Sequence, residues 1–425
     1  MKINMKALPY ITVLYFLFLL GGNIKAQDGS TTSVTLSYAE GKDRLLKENL
    51  QLLAEYYNIE IAEAQIEQAK LWNNPLFVWN AEMYNVAMNK YFAFRNQKLI
   101  QLEYAFTYSG KRVNAIRQAN LGKEIAELAF ADVVRGMIAE FSNQYYSLNA
   151  LREKERIYQV VLAQFDDVIE LSTIKLNLGV TSESDLLRLQ TEHLSLQTYL
   201  NEIRREIFEV EAQLKTLLNL DPGASINTKR INYSINDNMN IQAMVDSAFA
   251  NRPDFLIAQK NIDLSQLVYK GAKKESYPAI NLGYQPFDQG SNHVRPYHGM
   301  VFEMNLPLFD RNQGNIQAAK VGIEQSKYQM QYAEKEIENQ IVATYLQHKN
   351  TKAIYEKFTE EMLKQMEDLS TNARINFDKR NISLIEYIDH QRAYIDYQMN
   401  LIDATSSYYQ SINQIHFAVG KEIAF

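Results

Sequence analysis

The sequence of 425 residues contains no cysteine. That excludes disulfides, thiolate metal sites, a cysteine nucleophile and the acylated N-terminal cysteine of a lipid anchor. Glycine and proline are scarce, 16 and 8 respectively, so turns are few and the elements between them long, which favours helices. The formal net charge is −6, and no block of lysine and arginine is present that would neutralise a run of phosphates. This argues against nucleic acid as a partner. Catalytic motifs are missing as well: there is no G-x-S-x-G, no Walker A and no G-x-G-x-x-G. A hydrolase, an NTPase or a dinucleotide enzyme therefore has no support, and neither an enzyme nor a cofactor is expected. Of the six histidines, only His293 and His298 are near one another, with Asp288 and Asp310 at the margins of their loop. No i, i+4 pair or HExxH spacing backs a metal there, and a solvated loop is expected.

What is present is hydrophobic patterning, at 46% hydrophobic and 22% charged residues. This is enough for two or more ordinary domains or for one elongated repeat. The N-terminus has the form of a secretory signal over residues 1–26: Lys2 and Lys6, an apolar run from Tyr10 to Leu20, then Gly21-Gly22 and a cleavage point after Ala26. The competing reading, a retained anchor, needs a longer run than this one, since a spanning helix takes about 20 residues. No later stretch is apolar enough to span as a helix. Further membrane contact must be by strands or not occur.

Two breaks organise the rest. Leu176 to Gln190 interrupts a very long helical pattern, and about 200 residues later Ile375 to Gln391 does the same, with Ser182, Asp185 and Gln190 aligned on Ser383, Glu386 and Gln391. The chain is a tandem repeat, 27–240 and 241–425. In the first repeat residues 37 to 72 show helical spacing, stopped by Asn73-Asn74-Pro75. From Leu76 the period changes to two, giving strands over 76–84 and 98–108. The second repeat has the same pair over 277–285 and 299–308. Polar positions share one face in each pair, including Glu82, Glu103 and Glu303. Alternation alone does not separate a half-buried soluble sheet from a barrel in lipid. Strands of about nine to eleven residues, with tyrosine and tryptophan at their ends, favour the barrel. Four strands cannot close one, since the smallest membrane barrels have about eight. Several chains must then contribute.

After each strand pair comes a helix of about 65 residues, 111–176 and 310–377, roughly 100 Å at 1.5 Å per residue. Returning helices over 184–220 and 384–419 supply the neighbours such rods need, in antiparallel pairs like coiled coils. A polar linker over 221–240 joins the repeats.

This order of elements resembles the TolC-like outer-membrane efflux, or outer-membrane factor, family. Its marks here are Asn74-Pro75, Ser109-Gly110-Lys111-Arg112, Asn251-Arg252-Pro253-Asp254, Tyr277-Pro278, and Leu178-Gly179-Val180 with Asp185-Leu186. The resemblance covers nearly all of the chain beyond the signal. It implies a mainly α fold with a membrane β-barrel: a homotrimer whose twelve strands cross the outer membrane and whose helices form a periplasmic α-barrel. Asn80, Glu82, Gln101, Glu103, Asn281, Glu303 and Asn305 would then face a water-filled lumen. The helix turns would dock a periplasmic adaptor protein, itself seated on an inner-membrane pump of the RND type. Gly179, Val180, Thr181, Ser182, Asp185 and Leu186 match the first turn. The second departs from the pattern, with Arg380 where the first has Gly179, followed by Ser383 and Glu386. The bland reading of Gly179 and Ser182 is a C-cap and an N-cap without a partner.

Three-fold symmetry would gather any inward-facing acid into a ring, and Glu367, Asp368 and Asp378 lie near the second turn. Their other reading is ordinary solvated charge. The approach Gln68-Ala-Lys-Leu-Trp-Asn-Asn-Pro75 and the Gly110-Lys111-Arg112 mark look most like the heavy-metal branch, with drug efflux and protein secretion as alternatives. From a different class, an exported coiled-coil scaffold would require the apolar strand faces to be covered within one chain.

Overall fold

The computed structural model describes residues 33–81, 83–86, 89–91, 98–229, 240–288 and 295–421. The expected signal segment, Glu82 and His293 lie outside them. In order the elements are β1 (Ser33–Leu36), α1 (Tyr38–Glu48), α2 (Leu50–Lys70), β2 (Leu76–Ala81), β3 (Tyr84–Asn85), β4 (Lys90–Tyr91), β5 (Lys98–Phe106), α3 (Lys111–Asn177) and α4 (Glu183–Leu217). The second half holds β6 (Ser225–Thr228), α5 (Ile241–Asn251), α6 (Pro253–Glu275), β7 (Ile280–Asp288), β8 (Tyr297–Met304), α7 (Gln313–Tyr355), α8 (Glu360–Asp378) and α9 (Leu384–Val419). None of the described helices is long and apolar enough to cross a membrane.

The axis of the molecule is α3, 67 residues without a break and about 100 Å long. A lone helix of that length would fray, so its stability comes from packing along its flanks. It is lined in turn by α2, α4, α6 and α9, which means that helices of the second repeat pack on the first. Phe141, Tyr145, Val161 and Phe165 of α3, Leu189, Ile207 and Leu214 of α4, and Tyr387 of α9 are all but fully buried in one continuous core. Each such side chain contributes roughly 1.5–3 kcal/mol. A second core joins α5, α6 and α7 to the end of α9 through Phe255, Ile341 and Ile415.

Two helices expected to be continuous are divided. The helical stretch over 37–72 stops at Asn49, whose backbone is extended (φ −68°, ψ 120°). Its buried side chain accepts from the Leu52 N–H at 2.8 Å and donates to the Leu217 carbonyl at 2.8 Å. A side chain that caps its own backbone competes with the helix, and here a tertiary acceptor decides the outcome. The helix expected over 310–377 becomes α7 and α8, with a joint at 356–359. Tightened turns end α7 (Lys357 N–H to the Ile354 carbonyl, 3.1 Å; Phe358 N–H to that of Tyr355, 3.1 Å), and the Thr359 hydroxyl caps α8 by accepting from the Met362 N–H at 3.2 Å. Tyr355 stacks on Tyr408 at 4.8 Å and Phe358 packs on Tyr397 at 5.5 Å, so α9 holds the joint from both sides.

The expected strand pairs meet in one antiparallel sheet, β2-β5-β7-β8. The central β5–β7 pairing ties the two repeats together, and β2 and β8 are its edges. In the linker, β6 pairs in parallel with β1, a strand that the sequence pattern does not announce. Glu211 fixes this small sheet by accepting from the Ile226 N–H at 3.1 Å and from Arg152 at 2.6 Å.

Candidate functional site

The register of the sheet sorts its side chains. Phe77, Leu102, Tyr284 and Met300 form one cross-strand row, and Phe106, Ile280 and Met304 another on the same face. This face is bare: Phe77, Trp79, Leu102, Phe302 and Met300 are exposed, the last at 81%. The scaffold reading needed this surface to be covered within the chain, and none of the described residues covers it. The opposite face carries the rows Ala105–Asn281–Glu303 and Leu76–Glu103–Gly283–Val301. Of the expected lumen residues, Asn80, Gln101, Glu103, Asn281 and Glu303 therefore share one face. Asn305 follows β8, its N–H donating to the Ala279 carbonyl at 3.3 Å, and Glu82 is outside the described residues.

The polar face is crowded at its centre. Gln101 is buried there, accepting from the Gln285 amide at 2.7 Å and donating to the Glu103 carboxylate. A Cβ on Gly283 would stand 3.2 Å from Val301 and 3.3 Å from both Gln101 and Glu103, so glycine leaves space for the polar side chains. Beyond Gln285 the pairing shifts on both sides of β7. Pro286, which has no N–H to give to a ladder, sits in that bulge. Apolar phase then resumes with Phe287 opposite Ile100.

At the far end of the helices the two turns match. Leu178 to Ser182 and Lys379 to Ser383 are five-residue connections with the same closing bonds. In the first, the Val180 N–H donates to the Lys175 carbonyl (2.8 Å) and the Gly179 N–H to that of Leu176 (2.9 Å); in the second, Asn381 donates to Asn376 (2.8 Å) and Arg380 to Phe377 (3.0 Å). This is the Schellman pattern, which needs a left-handed residue. Gly179 supplies it at φ +71° and Arg380 at φ +62°. Arg380 thus occupies the same conformation as Gly179 at a steric cost. Ser182 caps α4 by accepting from the Asp185 N–H at 3.1 Å. Ser383 and Glu386 form a reciprocal capping box, and the Ser383 N–H and hydroxyl hold the exposed Glu386 carboxyl below its ordinary range. Although Gln190 and Gln391 align in sequence, they differ in setting: Gln190 is exposed, whereas Gln391 is fully buried and bonded to Ser370.

Gly179, Val180, Ser182, Arg380, Ser383 and Glu386 are exposed, with Thr181, Asp185 and Leu186 half-buried. The exposed apolar residues Leu178, Leu187 and Ile385 extend this surface. Leu178 belongs to the Leu178-Gly179-Val180 mark, whereas Leu187 and Ile385 carry no motif, and apolar side chains beside a polar turn were the available signal for them. Tyr387 sets the two turns side by side, packing on Phe165 at 5.7 Å and on Phe377 at 5.1 Å. Burial pushes its phenol up to about 12, and its hydroxyl has no hydrogen-bond partner among the described residues.

Ion pairs bridge the two helical hairpins. Arg374 meets Asp167 at 2.7 Å, Lys154 meets Asp403 at 2.6 Å, Arg392 meets Glu192 through its Nε at 2.9 Å, and Lys175 approaches Asp378 at 3.9 Å. Their members lie roughly 200 to 250 residues apart in sequence, and no local pattern could have paired them. Asp378 is thus occupied by a lysine of the neighbouring hairpin. Glu367 and Asp368 are exposed on α8. Among the described residues no group of three or more His, Cys, Asp or Glu could hold a metal ion.

The Asn251-Arg252-Pro253-Asp254 mark is a structural rivet. The buried Arg252 guanidinium donates to the Ala418 carbonyl (3.0 Å), to Gln340 (2.7 Å) and to Asp254 (2.6 Å). Arg135 of α3 donates to the Phe417 carbonyl (2.8 Å) and lies 3.4 Å from Asp254. Burial raises the pKa of Asp254, but these two guanidiniums outweigh it and hold the carboxyl below its usual range.

Comparison with known proteins agrees with this architecture. A search among curated protein sequences found no match. Among solved structures, the chain is similar to the outer membrane protein VceC of Vibrio cholerae (16% identity, 90% of this chain and 96% of that one, TM-score 0.72). It is also similar to the outer membrane channel CmeC of Campylobacter jejuni (17% identity, 91% and 86%, TM-score 0.72) and to CusC (15% identity, 94% and 96%, TM-score 0.68). At these identities the likeness is one of fold. The family profile described as outer membrane efflux protein matches residues 42–220 and 244–421, one stretch in each repeat. With both halves matched and most of its length accounted for, the chain belongs to the outer membrane efflux protein family.

Proposed function

We propose that this outer-membrane protein is a passive exit duct, built from three copies of the chain and fed through a periplasmic adaptor by an inner-membrane pump. The observation that carries the reading is the four-stranded sheet, bare and apolar on one face, polar on the other and open at both edges, mounted on about 100 Å of helix. Hydrocarbon satisfies no backbone hydrogen bonds, so a sheet that enters it must close on itself. With four strands per chain, the edges β2 and β8 must pair with those of other copies, and three copies give the twelve strands that the family resemblance implies. The exposed apolar stripes on α2 (Leu50, Leu53, Tyr57, Ile61) and α7 (Val321, Tyr328, Tyr332, Leu346) are the helical part of that contact. A duct has no bond to make or break, and catalysis is not part of its work.

The adaptor docks on the paired turns, with Gly179 to Leu186 and Arg380 to Glu386 presenting exposed backbone, capping hydroxyls and a few apolar side chains. The cargo is proposed to be heavy-metal cations. What supports this is the resemblance of the Gln68–Pro75 approach and of Gly110-Lys111-Arg112 to that branch, and the carboxylates Glu103 and Glu303 on the polar strand face, which favour cations in a narrow path. Fractionation followed by mass measurement in detergent tests the architecture: a three-chain particle recovered from outer membranes is expected. A water-soluble monomer would sink the reading. For the cargo, cells carrying the chain with its pump and adaptor are expected to tolerate more zinc, cobalt, cadmium or copper salt than cells lacking it. Unchanged metal tolerance alongside raised tolerance to dyes or antibiotics would refute the metal assignment.

A further inference from the structure

Where β5 hands over to α3, a cavity of about 480 Å³ opens between that turn and the C-terminal end of α6. Its lining is Tyr108, Ser109, Lys270, Lys273, Lys274 and Tyr277, three cations and no carboxylate. The lysines fall at i, i+3 and i+4 on α6 and so share one helix face, where like charges repel. Two are already held. The Lys274 ammonium donates to the Gly110 carbonyl at 2.8 Å, and that of Lys273 rests 4.4 Å over the Tyr269 ring. Lys270 is exposed, with no ion-pair partner among the described residues. The nearest acid in sequence, Glu275, is engaged by Lys111 at 2.9 Å. Ser109 adopts φ +62°, and its hydroxyl is buried with no hydrogen-bond partner among the described residues. A residue with a left-handed backbone thus places an unused hydroxyl donor among three lysines, a set of donors suited to an anion. The N-terminus of α3 begins two residues later and adds its partial positive charge.

We propose that this cavity binds the phosphate headgroup of an anionic phospholipid in the inner leaflet of the outer membrane, an inference that rests on the sheet being the membrane-crossing part. Position favours a lipid over free phosphate. Phe106 pairs with Ile280 and Ile280 with Met304, the last apolar row of the outward face, and Tyr108 and Tyr277 leave the sheet just beyond it. Aromatic and basic side chains gather at headgroup depth, and lysines next to it draw anionic lipid. Acyl chains can then lie along the exposed Leu282, Phe302 and Phe106 while the headgroup enters the cavity.

The test uses the full-length channel extracted from outer membranes in detergent, so that a failure here leaves the duct reading untouched. Native mass spectrometry counts phosphatidylglycerol retained per chain, with phosphatidylcholine and inorganic phosphate as comparison probes. The wild type is expected to retain phosphatidylglycerol over phosphatidylcholine. The double variant Lys270→Gln, Lys273→Gln, which leaves the structural Lys274 bond in place, is expected to lose about tenfold in retention. Ser109→Ala separates a binding role from a structural one: retention falls by roughly threefold while the melting temperature without lipid is unchanged or higher, because an unsatisfied buried hydroxyl has been removed. Equal retention by wild type and variants overturns the site. Displacement of the lipid by millimolar inorganic phosphate, or equal retention of phosphatidylcholine, overturns the anionic-lipid assignment.

Discussion

Replacing Gly179 by alanine isolates the backbone requirement at the first turn. An added Cβ would meet nothing within 4 Å, so no clash contributes and the whole effect is the left-handed conformation at φ +71°. That conformation disfavours an L-residue by roughly 1–2 kcal/mol, offset in part by the stiffer unfolded chain. A net loss of about 1 kcal/mol is expected, which speeds opening of the turn about fivefold. Hydrogen exchange read by mass spectrometry on peptides covering 171–187 measures this directly, because the Gly179 and Val180 amides close the turn at 2.9 and 2.8 Å. Peptides over 372–388 serve as the internal control and are expected not to change. Gly179→Asn, a residue that tolerates the left-handed region, is expected to fall between wild type and alanine. Arg380→Gly is expected to slow exchange at the second turn by a similar factor, since that turn already carries the strain. Exchange at the first turn unaltered by alanine would refute the reasoning, as would alanine and asparagine acting alike.

Two further expectations follow from the buried polar groups. Tyr387→Phe is expected to keep or raise the stability of the paired turns by up to about 1 kcal/mol, since the lost hydroxyl has no partner, whereas Tyr387→Ala is expected to lower it by about 3–5 kcal/mol; thermal melts of the detergent-solubilised channel compare the two. His348 is buried, bonded through Nδ1 to Ser411 at 2.8 Å with Nε2 unpaired, and burial holds its pKa below the ordinary value. The native state then binds fewer protons than the unfolded one, so stability is full above about 6.5 and falls as the pH drops from there through the lowered native value. Melting temperature against pH should show this slope in the wild type and not in His348→Gln; equal slopes would exclude His348 as its source.

Much of this architecture was legible because it rests on periodicity. The switch from three-and-four spacing to strict alternation at Leu76 placed the strands, and Ser182 with Ser383 exposed the repeat. The divided helices were not legible, for a reason visible at Asn49 and at 356–359: in each case the deciding contact is tertiary, the Leu217 carbonyl in one and Tyr397 and Tyr408 in the other. The strand β1 escaped for a similar reason, since four residues carry too little pattern and only pairing with β6 makes them a strand. At the turns, local chemistry spoke clearly. Capping residues and Gly179 act over four or five positions, and a sequence records them; the bridges from Arg374 to Asp167 and from Arg392 to Glu192 depend on the whole fold.

The joint between α7 and α8 gives the two hairpins different mechanics. An unbroken rod of 67 residues carries a sideways load to its far end with little loss, and α3 is such a rod. A rod interrupted one-third of the way back from its tip bends at the interruption, and the lever beyond it is only the 19 residues of α8. In a tube of three chains, stiff and jointed staves alternate around the mouth. A force applied at the helix turns of such an assembly would bend the second hairpin at its joint while α3 stays straight, so the two halves of one chain would yield by different amounts to the same load.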